Sequence, residues 1–361
     1  MMTRYFKVAA LAVAIISSYS LRAENSLEFN YTKIYSLCLD ANVKSALSLV
    51  ESSNIKTLSD KDAKFKAEIE NRFKFDEDKS SYLEDKKSAI SNLHILFHDY
   101  WRKSLLNNDK NYDKELADTL RDFFSFEFAM LKSSISDDSL DVYFKKYVEL
   151  KGLHSVGGIS KVGRLYDLLI WKAQKDTAYT IQLHKERISV RVVLMDSFIT
   201  LGWEEYATLG KYYPGGWSTK DALYCVKKAY NLNSEEFLIS YLGHEGRHFE
   251  DLNAYPKLKS ADLEYRAKLT ELSLAKKTLY KLIADFIDNA NYASENGHSV
   301  ANYCVIRDLS RQLFHIEFEK DMNKWNKISV KDINKFAYKI LQTNTKFLIS
   351  KRANINKSIK A

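Results

Sequence analysis

Two histidines four residues apart, with a glutamate directly after the first, lie in the stretch YLGHEGRHFED at residues 241–251. On a helix, residues at this spacing sit one above the other, so His244 and His248 can both reach one metal ion. Glu245 is rotated about 100° from His244. That direction is awkward for a ligand but suits contact with a water held by the same ion. The pattern H-E-x-x-H therefore specifies a chemistry in which two imidazoles bind zinc and the glutamate takes a proton from the water. The chain contains its own control. HILFH, from His94 to His98, has the same spacing with Ile95 where the base would be, and this pair is expected to pack or hydrogen-bond within a helix.

A zinc site of this kind needs a third protein ligand. Glu264, in LEYRAKL, follows a loop broken by Pro256 and lies in the first turns of the next helix. A helix–loop–helix can fold back and bring its carboxylate to the metal. Glu271, seven residues later on nearly the same face, is the rival ligand. His298, with Tyr292 and Tyr303 in the polar stretch NYASENGHSVANY, is a candidate donor to charge developing in a transition state. GGWST, residues 215–219, could offer backbone groups to an extended peptide, as an edge strand does.

HEGRH followed by a helix carrying E-x-x-A, here Glu264-Tyr265-Arg266-Ala267, resembles the gluzincin metallopeptidases. The resemblance covers roughly residues 175–310 and leaves the N-terminal half untouched. It implies a zinc cofactor held by His244, His248 and Glu264, with Glu245 as the general base. Many gluzincins place an aspartate one turn after the third ligand to orient a zinc histidine, and this chain has Lys268 there. Asp251, three residues after His248, could fill that orienting role. Equally, it could pair with Arg247 at i,i+4 spacing.

The elements that must position these groups are legible as well. Asn233, with Glu236 three residues on, reads as the N-cap of the motif helix. Pro256 ends that helix, because the residue before a proline is biased away from helical conformation. Gly243 and Gly246 either make room for a ligand or let the helix pack closely against a sheet. A second helix is expected to run about eight turns from Ser260. Upstream, TAYTIQLH alternates apolar and polar residues and RISVRVVLMDSFITLGW is rich in β-branched side chains, so both read as strands, with a hairpin around HKER. LKGLHSVGGISKVG, with four of the eleven glycines, makes a junction. Before it, residues 26–150 carry helical periodicity, with Leu83, Ile90, Leu93, Leu96 and Phe97 on one stripe.

The expected fold class is α+β and predominantly helical: an N-terminal helical module, a small β-sheet, then the metal-binding helix and the ligand helix. The expected divisions are a signal peptide at 1–23, the helical module at 24–150, a zincin-like metallohydrolase domain at 151–350 and a solvated basic tail at 351–361.

Composition fits a globular chain of 361 residues, 45% hydrophobic and 28% charged, with 2 prolines. Arg4 and Lys7 precede the apolar run VAALAVAIISSYS, and Ala23 offers a cleavage site before Glu24, which reads as an export signal too short for a comfortable membrane span. Without it, the loss of Arg4, Lys7 and Arg22 takes the formal charge from +8 to +5. That balance, spread through the helices, gives no basic stripe for nucleic acid. Of Cys38, Cys225 and Cys304, the last two are the pair expected to join if any do. The composite expectation is a periplasmic or secreted zinc-dependent hydrolase acting on a peptide or protein, without nucleic acid and without a stable transmembrane span after signal removal. The alternative is a non-catalytic envelope-associated binding protein with a structural or vestigial metal site.

Overall fold

A computed structural model describes residues 29–52, 58–156, 159–294, 296–351 and 356–359. The expected export segment, 1–23, lies outside the described residues. Among the described residues no helix is long and apolar enough to cross a membrane. The class is α+β and predominantly helical.

The described chain forms two compact units. The first comprises the residues up to Gln174 together with Asp196–Pro214. The second comprises Lys175–Met195 and the chain from Gly215 onward. The division therefore falls inside two long strands, β4 (Leu169–Leu183) and β5 (Glu186–Leu201), and not at the glycine-rich stretch.

In the first unit, α1 (Tyr31–Leu39), α2 (Val43–Ser52), α3 (Asp60–Phe73), α4 (Tyr82–Asp85), α5 (Ser91–Leu106), α6 (Asp113–Glu127) and α7 (Asp137–Leu150) build one apolar core. Helix α5 buries Leu93, Phe97 and Trp101 at four-residue spacing. Its two histidines follow the same face inward. His98 meets Asp78 at 2.9 Å, whereas His94 Nε2 is buried without a hydrogen-bond partner and its ring stands edge-on to Tyr82 and Trp101. The unit also contains β1 (His154–Ser155), β2 (Lys161–Val162), β3 (Leu165–Tyr166) and α8 (Trp203–Ala207). Here β1 pairs antiparallel with the start of β4, and β2 with β3.

In the second unit, β4 and β5 meet across the two-residue turn His184-Lys185, within the expected HKER hairpin. His184 takes φ of 54°, which such a tight turn demands. Strand β7 (Leu223–Val226) runs parallel to β5 and antiparallel to β6 (Gly216–Ser218). The sheet order is β1-β4-β5-β7-β6, so β6 ends the sheet. Ile181, Val190, Val192, Leu223 and Cys225 pack with Phe237 and Tyr241 of the motif segment.

The helices that follow are α9 (Leu242–Ala254), α10 (Ser260–Leu274), α11 (Leu279–Asp288), α12 (Gly297–Leu313), α13 (Met322–Trp325) and α14 (Val330–Lys351). Helix α10 lies at the centre and packs against α9, α12 and α14. Every residue from Asp262 to Ser273 is buried.

Four expectations are corrected here. The motif helix is capped by Ser234 and not Asn233, since the Ser234 hydroxyl accepts from Phe237 N at 3.2 Å. It begins as a π-helical segment, Glu236–Tyr241, whose wider turn precedes the histidines. The eight-turn helix is broken after Leu274. Glu235 Oε1 accepts from Lys276 N, Thr278 N and Thr278 Oγ1 at 2.8–2.9 Å, which satisfies the backbone of the break. The tail is not wholly solvated: Asp262 Oδ1 accepts from Ser358 N, Ser358 Oγ and Ile359 N at 2.5–2.9 Å, and Ile359 joins the core. Finally, all three cysteines are buried free thiols. Cys225 lies in the sheet cluster and Cys304 in the helical one, which keeps the expected pair apart.

Candidate metal centre

His244 and His248 project from α9 onto α10, where Glu264 stands. The Nε2 atoms of the two histidines are 2.9 Å apart. His244 Nε2 lies 3.5 Å from Glu264 Oε2, and His248 Nε2 lies 3.2 Å from Glu264 Oε1. An ion with tetrahedral bonds of about 2.0–2.1 Å would hold its ligand atoms about 3.3 Å apart. The three spacings of 2.9, 3.2 and 3.5 Å, the last two ending on different oxygens of the Glu264 carboxylate, are of that size. Among the described residues these three form the group whose ligand atoms converge, and all are buried.

Hydrogen bonding supports the same fit. Buried polar atoms almost always find a partner. Yet both carboxylate oxygens of Glu264, both of Glu245 and Nδ1 of His248 are buried without a hydrogen bond of acceptable geometry. A divalent cation among His244, His248 and Glu264 would account for the Glu264 oxygens directly. The donor set, two imidazoles and one carboxylate, is the one catalytic zinc takes with a fourth position open.

The surroundings of each ligand follow from the helix that carries it. Glu271, two turns beyond Glu264 on α10, places Oε1 2.6 Å from His244 Nδ1. It therefore does not compete with Glu264 for the Nε2 side; it holds the far nitrogen of the ring and so sets the tautomer that leaves Nε2 facing inward. Burial pulls the His244 pKa down, but Glu271 and Glu264 together raise it to about 10. Burial lowers that of His248. Burial pushes Glu264 up, and His298 and His244 nevertheless hold it well below the usual carboxylate range.

Glu245 is wholly buried. Burial pushes its carboxyl up to about 8, with His244 and the Ser218 hydroxyl of β6 pulling the other way. Beside it, Gly216 lets β6 approach: a Cβ there would lie 2.4 Å from both Tyr224 O and the Tyr241 ring. Gly246 does the same for α9, since its Cβ would lie 2.9 Å from Ile181 Cδ1. Close packing against the sheet is thus the reason for that glycine.

The remaining sequence candidates are distributed as follows. His298 is not in a loop but near the start of α12, where Asn296 caps the helix by accepting from His298 N. Its Nδ1 stands 2.8 Å from Glu264 Oε2, with the side chain 29% exposed. It does not belong to the converging group, so it braces the carboxylate from the more open side. Tyr292 and Tyr303 contact each other, and Tyr303 stacks on Phe318. Residues 216–218 do form the terminal strand, but all three are buried.

Asp251 does not orient His248, whose Nδ1 has no partner. It is instead taken by Arg266, which donates Nε to Oδ2 at 2.6 Å and Nη2 to Oδ1 at 2.9 Å, while Arg247 Nη1 is more distant at 3.8 Å. A bidentate guanidinium outcompetes a single imidazole N–H for the carboxylate. Sequence reading missed Arg266, because one arginine in a charged helix carries no signal of its own. Lys268 stands where the gluzincin resemblance would place an aspartate. It is buried, with Nζ 4.0 Å from Glu264 Oε2 and 4.4 Å from the centroid of the Phe286 ring.

Compared with protein families, curated proteins and solved structures, the chain matches none of them.

Proposed function

We propose that the second unit is a zinc-dependent hydrolase of gluzincin type, acting on a peptide or protein amide. The observation that carries this reading is the convergence of His244 Nε2, His248 Nε2 and the two Glu264 carboxylate oxygens, at 2.9–3.5 Å, with Glu245 next in sequence to the first histidine. Bound there, zinc would supply Lewis acidity and bring the pKa of a water toward neutrality. Glu245, buried beside Ser218, would hold the proton taken from that water and return it to the leaving amine. With the metal bound, Glu271 would hold the remaining ring proton of His244 on Nδ1 and keep Nε2 directed inward, and His298 would steady the Glu264 carboxylate. The export segment read from the sequence supports a periplasmic or secreted setting.

Complete burial of the ligands favours a second reading, a structural site in a non-catalytic protein. Metal analysis of the purified protein, followed by the Glu245→Gln variant, separates them. The hydrolase reading expects about one equivalent of zinc in both proteins and loss of amide hydrolysis in the variant. Undiminished hydrolysis in Glu245→Gln would overturn the mechanism. A cobalt-loaded protein whose visible spectrum ignores small metal-binding anions would favour the structural site. A chain that takes up no metal would sink both.

A further inference from the structure

The two helices that present the ligands are joined by a buried charge pair that itself touches no ligand nitrogen. Asp251 follows His248 by three residues on α9, and Arg266 follows Glu264 by two on α10. Both are almost wholly buried, at 2% and 1% exposure. Four Arg266 hydrogen bonds are directed at two helices. Nε and Nη2 clasp the Asp251 carboxylate side-on, while Nη1 donates to Asn344 Oδ1 at 2.8 Å and to Thr345 Oγ1 at 3.0 Å, both on α14.

We propose that Arg266 is a positioning residue for the metal ligands: it fixes the separation and register of α9 and α10 at the level of His248 and Glu264. This rests on the metal-binding reading above. A buried ion pair is a poor source of net stability, because desolvation offsets most of its attraction, and its better-attested use is to select one register. Here the register matters. Ligand distances tolerate only about 0.2 Å, and two helices held by apolar contacts alone can slide by more than that without losing much buried area. The planar fork of arginine cannot slide, since both N–H groups must meet both oxygens. The arrangement also keeps Asp251 away from His248. As a result one zinc histidine has a carboxylate on its outer nitrogen and the other does not.

The test is Arg266→Lys, which keeps charge and bulk but can make only one of the two bonds to Asp251. Zinc affinity is measured by competition with a chromophoric chelator, and geometry by the visible spectrum of the cobalt-loaded protein. Thermal unfolding of metal-free protein is followed alongside. We expect zinc affinity to fall about 10- to 100-fold and the cobalt bands to shift. A core variant, Ile333→Val, should lower the metal-free melting temperature while leaving affinity and spectrum as in wild type. Should Arg266→Lys not fold, Asn344→Ala retains the clasp on Asp251 and removes one brace, and a smaller loss in the same direction is expected. Wild-type affinity and spectrum in whichever variant folds would overturn the positioning role. Failure of the wild-type chain to bind metal would instead overturn the metal-binding reading itself.

Discussion

The Glu271 carboxylate lies 2.6 Å from His244 Nδ1, across the imidazole from Glu264, while Nδ1 of His248 has no such partner. The two histidines of the motif are thus chemically unequal. Glu271→Gln retains an oxygen acceptor but removes the charge that strengthens the ring as a ligand. On the proposed metal-binding reading, zinc affinity should drop about 10- to 100-fold. Glu264→Gln, which alters the converging triangle itself, should do more harm to binding than Glu271→Gln. Chelator competition on both proteins gives the ranking, and the reverse order would reassign the third ligand to Glu271.

The two close-packing glycines differ in what they meet. At Gly246 the obstacle is the far end of the Ile181 side chain, and alanine gains about 1 kcal/mol of helix propensity. Gly246→Ala should therefore change unfolding free energy by less than about 1 kcal/mol. At Gly216 the obstacles are backbone oxygen and a packed ring, neither of which can yield. Gly216→Ala should destabilise by about 1–3 kcal/mol. Urea denaturation distinguishes the two, and equal costs would contradict the packing described for β6.

His94 gives the first unit a defined sensitivity to acid. Burial pulls its pKa down to about 3. The unfolded chain takes up a proton near pH 6.5 that the folded chain refuses until about pH 3, so stability contributed by the neutral ring is lost as pH falls through that window. At pH 5 the difference is about 2 kcal/mol. His94→Leu should flatten the stability profile between pH 7 and pH 4 relative to wild type. A parallel decline in both proteins would show that His94 is not buried neutral.

Cys38, Cys225 and Cys304 are buried, and burial pushes their thiols up to about 12, 12 and 11. Thiolate is the reactive form. The native protein should react negligibly with a thiol reagent at pH 8, and three thiols should titrate once it is unfolded without reductant. A single reactive thiol after unfolding would reveal the disulfide that the geometry lacks.

Much of the site was legible because it is local. The i,i+4 spacing puts His244 and His248 on one helix face whatever surrounds them, the acid after the first histidine marks the candidate base, and Pro256 ends α9 at the turn from which α10 returns. The strand pair around HKER was equally local, since alternation and β-branching act within a few residues. The partners of these groups were not legible. Glu264 and Glu271 present the same residue type on nearly one face, and only the approach of α9 gives one to Nε2 and the other to Nδ1 of the same ring. Asp251 had two plausible partners within its own helix, and the structure supplies a third from α10. The deepest divergence lies in α10 itself. DLEYRAKLTEL, with its five charged residues, has the pattern of a solvated helix, yet every one of them is buried. Burying a charge is costly unless a partner meets it. Apart from the Lys268–Glu264 pair within the helix, the partners are a tail, three histidines, an aspartate and residues of neighbouring helices, all outside α10. The chain by itself determined which residues could do chemistry. Tertiary packing decided which of them meet, because the energy of a buried charge depends on what surrounds it and not on its neighbours in sequence.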